Sequence, residues 1–278
     1  MSTTPTHTGS SATWSPAAVF TRIVCGVDGS DEGFEAVRQA ARLATASGHV
    51  TLASVWNTDA TVALGWSPPA AYAPTGTRED VENAVARARE LLPDTLAVET
   101  SVVQGPPAPM MAIEAKRHDA TLVAIGTHGH GRLPGILLGS VATQLLHNSP
   151  CPVLIARPQA APTGFPRSII AATDGSAEAG RAVALGETLA ARLGSKLEAV
   201  VVTDDGERDA GPVALELRGP GGRHIPLRRL RGPAARVLSD LRPDLLVIGS
   251  RGLRGLRSLG SVSERVAHES KASVLVVR

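Results

Sequence analysis

The chain has 278 residues, of which 43% are hydrophobic and 19% charged, and its 28 Lys and Arg stand against 26 Asp and Glu. That length accommodates two domains of ordinary size. No apolar run reaches the roughly 18 residues that a membrane span needs, and the near-neutral balance gives no general electrostatic case for nucleic acid as a partner.

In chain order, residues 1–20 are rich in Ser, Thr and Pro and lack the basic start and apolar run of a signal peptide, so a disordered tail on a cytoplasmic protein is expected. Ile23 to Val27 is a short continuous apolar run, the pattern of a strand buried on both faces. Phe34, Val37, Ala41 and Ala44 then share one helical face, and Gly48 is expected to close that helix. Ser30 is placed to cap it, with Glu32 and Glu35 near its positive end. Further strands are expected at Val50 to Val55, Leu96 to Val103, Leu122 to Ile125 and Val153 to Ala156, with a second helix over Glu79 to Leu92. Pro162 and Gly164 mark residues 159–166 as a linker. Cys25 and Cys151 are too few for a disulfide framework and sit in apolar contexts, which suits a reducing compartment.

Beyond the linker the chain repeats itself. Val27-Asp28-Gly29-Ser30 returns as Thr173-Asp174-Gly175-Ser176, and Ile125-Gly126-Thr127-His128-Gly129 as Ile248-Gly249-Ser250-Arg251-Gly252. Leu138-Gly139-Ser140-Val141 returns as Leu259-Gly260-Ser261-Val262, and Val153 to Arg157 as Val274 to Arg278. Four anchors in one order predict two tandem Rossmann-like α/β domains, residues 21–158 and 167–278, each a five-stranded parallel sheet flanked by helices. Asp28 and Asp174 are 146 positions apart but Gly126 and Gly249 only 123, so the second copy has lost 23 residues. The missing piece is expected to be the second helix, with Thr203 to Gly222 a loop in its place. Arginines crowd this half from Arg218 to Arg257; a solvated face paired with carboxylates is the expectation, and an anion-binding surface the alternative.

In a doubly wound sheet, ligands bind beyond the carboxyl ends of the strands where strand order reverses. Asp28 ends the first strand there and Gly126 the fourth. A carboxylate can accept from ribose hydroxyls, glycines let backbone N–H groups approach phosphate, and the helix begun by Ser140 supplies free N–H groups and a positive dipole end. This layout suits a nucleotide.

At these residues the chain resembles the universal stress protein family. Gly126-x2-Gly129, nine residues, then Gly139-Ser140 is similar to the family's ATP-binding pattern, and Val27-Asp28-Gly29-Ser30 to its first-strand motif. The resemblance implies the adenine nucleotide alpha hydrolase-like fold and a site for ATP or AMP, with or without Mg²⁺. It implies that Asp28 holds the ribose or adenine edge, that the Val55 backbone faces adenine, and that Gly126, Thr127, Gly129 and His130 line ribose and phosphates. Gly139, Ser140 and Val141 would hold the phosphates, beside Val27, Gly29 and Ser30. A weaker second site would comprise Asp174, Gly249, Gly252, Gly260 and Ser261. There only seven residues separate Gly252 from Gly260, so that site is expected to be degenerate. The family resemblance further implies that the last strands of the two halves pair as an internal pseudo-dimer; a homodimer of whole chains is left open.

His128 and His130 have no Cys, Asp or Glu at ligand spacing, so no metal is expected. His147 and His268, at equivalent helix ends, are expected to satisfy terminal carbonyls. A nucleophile elbow, a P-loop and a dinucleotide fingerprint are all missing, so no catalytic residue is assigned. The leading expectation is a nucleotide-responsive stress regulator. Its rivals are a slow ATP hydrolase or phosphoryl or adenylyl transferase, and a nucleotide-independent scaffold.

Overall fold

The structure, a computed structural model, describes residues 19–56, 77–129, 138–158, 164–203, 216–219, 221–252 and 259–278. The first half runs β1 (Arg22–Gly26), α1 (Asp31–Leu43), β2 (His49–Trp56), α2 (Arg78–Arg89), β3 (Ala97–Gln104), α3 (Pro107–Arg117), β4 (Leu122–Gly126), α4 (Ser140–Asn148) and β5 (Val153–Ala156). The second runs β6 (Ser168–Ala172), α5 (Ala177–Leu193), β7 (Lys196–Thr203), β8 (Glu216–Arg218), β9 (His224–Arg231), α6 (Ala234–Ser239), β10 (Leu245–Gly249), α7 (Ser261–Glu269) and β11 (Ser273–Val277). Among the described residues no helix is long and apolar enough to cross a membrane.

Among the described residues all strands join in one 11-stranded order, β3-β2-β1-β4-β5-β11-β10-β6-β7-β9-β8. Within each half the pairings are parallel, as repeated strand-helix-strand crossovers require, except that the edge strand β8 runs antiparallel to β9. The halves meet where β5 pairs antiparallel with β11, Leu154 opposite Leu275. Both leucines are fully enclosed, so the junction is a sheet interior. Apolar residues of both halves merge into a large core on each face of the sheet, α1, α2 and α5 covering one and α3, α4, α6 and α7 the other, and a small further cluster of Ala171, Val183, Ala199 and Ile225 belongs to the second half.

Several expectations change in detail. α1 ends at Leu43 with Ala44 as its cap, because Thr45 N turns away to bond Phe20 O; Gly48 instead closes a separate turn by donating to Thr45 O. The buried stripe of α1 runs through Phe34, Val37, Ala40 and Leu43. Ser30 caps α1, accepting from Gly33 N, but Glu35 turns inward to Arg38 and Gln39 rather than lying near the helix start. The second half has a sixth strand: β8 lies antiparallel to β9 at the sheet edge. Among the described residues no helix stands there in the place of α2. The sheet edge adapts chemically. Val27 N and Thr173 N bond Ala53 O and Val200 O, which makes Ala53 and Val200 equivalent, and by register Arg229 then stands where β3 has Val102. Val102 packs into the core that includes α2, whereas Arg229 is exposed.

Candidate nucleotide crevice

β1 is flanked by β2 and β4, so strand order reverses between β1 and β4, and their carboxyl ends frame a cleft. Asp28 lies just past β1. Its Oδ1 accepts from Ser30 N at 3.0 Å and Ser30 Oγ at 2.5 Å. Two glycines enclose the carboxylate: a Cβ at Gly33 would stand 2.6 Å from Oδ1, and one at Gly129 would collide with Oδ2. Gly29 has φ 86°, the left-handed region that glycine tolerates. Gly126 abuts the α1 backbone, where a Cβ would meet Glu32 C at 2.6 Å. Thus the glycines pack β4 and the following loop against the start of α1 and against Asp28.

α4 begins beside the end of β4, where a Cβ at Gly139 would meet Thr127 O and His128 Cα. Gly139 N donates to Thr127 O at 2.7 Å, which ties the end of the loop back to the end of β4. Gly139 is the N-cap and provides no side-chain bond, and the first turn holds no acidic residue. By contrast α1, α2 and α5 are capped by Ser30, Thr77 and Ser176 side chains. The opening of α4 therefore keeps N–H groups and a positive dipole end without a side-chain cap. Ser140 is exposed there, and Val141 is partly buried. Val55, near the end of β2, is buried. His130 lies outside the described residues.

The second half repeats these anchors. A Cβ at Gly252 would stand 2.5 Å from Asp174 Oδ2, Gly249 abuts Glu178, and Gly260 N donates to Ser250 O at 2.7 Å. Ser261 opens α7, whose N-cap Gly260 also lacks a side-chain bond. Two features differ. Asp174 is exposed where Asp28 is half-buried, and the first turn of α7 contains Glu264.

The helix ends reveal what the sequence concealed. Carbonyls at the end of α4, Leu145 and Leu146, accept from the Arg278 guanidinium, and those at the end of α7, Ala267 and His268, accept from Arg157. Arginines following the paired strands β5 and β11 thus do the work expected of His147 and His268. A guanidinium can serve several carbonyls at once, which an imidazole cannot. The histidines instead reach across the junction, His147 Nε2 lying 3.3 Å from Glu264 Oε1 and His268 Nε2 3.4 Å from Thr143 Oγ1. The available signal was the equivalence of Arg157 and Arg278 in the repeat.

In the arginine-rich second half, Arg228 pairs with Glu198 and Arg251 with Glu178, in keeping with a solvated, paired face. Among the described residues no group of three or more His, Cys, Asp or Glu is placed to hold a metal ion.

A family model described as the universal stress protein family matches residues 20–157 and 219–278. A curated universal stress protein of Mycobacterium tuberculosis is 32% identical over 92% of this chain and 96% of its own length. Another from Mycolicibacterium smegmatis is 30% identical with the same coverage of both. The crystal structure of a universal stress protein from Archaeoglobus fulgidus superposes with a TM-score of 0.70 at 20% identity, covering 93% of this chain and 98% of the other.

Proposed function

The chain belongs to the universal stress protein family, and from that premise we propose that its first half binds ATP or AMP, with or without Mg²⁺, and acts as a nucleotide-responsive regulator. The observation that carries this reading is that Asp28 and the opening of α4 both stand against residues 127–129, just past β4 where strand order reverses: a Cβ at Gly129 would meet Asp28 Oδ2, and Gly139 N bonds Thr127 O. Asp28, with one oxygen engaged by Ser30, is suited to accept from ribose hydroxyls through the other. Gly129 and Gly139 suit phosphate, since neither puts a side chain between the backbone and an oxyanion. Val55 would lie toward the base. Ser140, Val141 and Thr127 would complete the phosphate cradle, with His130 at its margin.

The second half carries the weaker site, at Asp174, Gly249, Gly252, Gly260 and Ser261. Its loop is two residues shorter. Glu264 in the first turn of α7 already meets the positive end of that helix and would repel a polyphosphate. We read the protein as a binding module, because the groups at the cradle are backbone donors and a ribose acceptor rather than an activated nucleophile.

Purified protein, denatured and analysed by mass spectrometry, is expected to release an adenine nucleotide, and titration calorimetry with ATP to give one strong site per chain. Gly139→Val, which forces a branched side chain against Thr127 O, is expected to abolish that binding. Unchanged affinity in this variant would refute the site. Two equal sites would refute the inequality of the halves, and turnover at ordinary enzyme rates the binding-module reading.

A further inference from the structure

We propose that His268, from the second half, is a positioning residue for the crevice of the first: through the Thr143 hydroxyl it fixes the opening turn of α4. This inference rests on the nucleotide reading of that crevice. Because β5 and β11 are antiparallel, α4 and α7 also run in opposite directions, and the end of α7 lies beside the beginning of α4. The second half thereby touches the phosphate helix one turn inside its N-terminus.

Proton accounting gives the contact a direction. Thr143 Oγ1 lies 3.0 Å from Gly139 O, the carbonyl that also receives Thr143 N at 3.0 Å. A hydroxyl has one proton. When that proton goes to Gly139 O, the contact with His268 Nε2 requires the imidazole to donate. An Nε2–H histidine thus commits the Thr143 proton to the N-cap residue. With the proton on Nδ1 instead, Nε2 would compete for the Thr143 proton and the Gly139 carbonyl would lose its side-chain partner. Gly139 is the residue at which the cradle turns into the helix, so its orientation sets where the neighbouring N–H groups point.

The equivalent position in α7 shows that this device is specific to the first half. Glu264 replaces Thr143 there and faces His147, so the second crevice has an ionisable pair where the first has a hydroxyl relay. Charged and titratable groups around His268 are Glu264 and Glu269 on its own helix, His147 on α4 and Arg157 after β5.

The test combines nitrogen-15 NMR of histidine-labelled, nucleotide-free protein at pH 7.5 with ATP titration of four variants and one double variant. The Nε2–H tautomer is expected for His268. Thr143→Val and His268→Leu are each expected to raise the ATP Kd about threefold to tenfold, and the double variant to be no worse than the weaker-binding single one. Thr143→Ser and His268→Gln, which keep a hydroxyl and a donor, should stay within about twofold of the unaltered protein. An Nδ1–H tautomer, unaltered affinity in both disabling variants, or additive losses would overturn the relay while leaving the nucleotide site standing. No ATP binding by the unaltered protein would instead overturn the nucleotide reading and the positioning role built on it.

Discussion

The Cys25 thiol is wholly enclosed between core side chains of β1 and its neighbours, and burial pushes its pKa up from 9.0 to about 12. Burial likewise pushes Cys151 up to about 11, against the opposing hydrogen bond from Ser149 and the nearby Arg278 charge. Because the thiolate is the nucleophile, neither cysteine should be alkylated by iodoacetamide in the native protein at pH 7.5, and both should be in urea; prompt native labelling seen by mass spectrometry would contradict this burial. Both residues were legible in the sequence as small apolar side chains. Arg157 was not. In the sequence it is only the last residue of a repeated anchor, whereas in the fold it is 7% exposed and donates to Ala267 O, His268 O and Ala272 O. Burial lowers its pKa to about 10, which leaves it charged at neutral pH. Arg157→Met should leave buried carbonyls of α7 without partners and cost roughly 2–4 kcal/mol in urea unfolding. A loss under about 0.5 kcal/mol, the range of ordinary surface changes, would mean that water serves those carbonyls equally well.

At the level of elements, strand positions and the cap of α1 follow from short apolar runs and from Ser30, which act locally and so leave a clear trace in sequence. The end of α1 and the partners of the helix termini depend on contacts far along the chain, and periodicity does not report those. Arg192 shows the same thing: from the end of α5 it donates to Leu43 O at the end of α1. The packing of α4 beside α7 has a pH consequence. Burial lowers the pKa of His268 below its ordinary 6.5, Glu264 and Glu269 oppose that shift, and Arg157 and His147 reinforce it. Between 6.5 and the lower folded value the unfolded chain binds the proton more readily, so stability present at neutral pH is lost as pH falls through this window. The urea midpoint should therefore drop between pH 7 and pH 5, and His268→Gln should show a smaller drop. Equal slopes for the two proteins would assign the acid sensitivity to other groups.

At the level of the whole molecule, duplication made the tandem architecture readable, because the second copy repeats the anchors of the first in order. The crevice was readable for the same reason, as Asp28, Gly126, Gly129 and Gly139 converge at one reversal of strand order. What stands in the place of α2 among the described residues was not readable, since β8 has only three residues and is stabilised by its pairing with β9. The fused sheet makes a test of its own. Residues 19–158 expressed alone would expose the edge of β5, Val153 to Ala156, with apolar faces and unpaired backbone groups. Two copies could then pair β5 with β5 as β5 now pairs with β11, so sedimentation should find a dimer; a stable monomer would show that the first half protects this edge by itself. The antiparallel junction also sets the geography of any signal. It turns the carboxyl ends of the strands of the two halves toward opposite edges of the fused sheet, so the body of that sheet and the α4–α7 seam stand between one candidate crevice and the other.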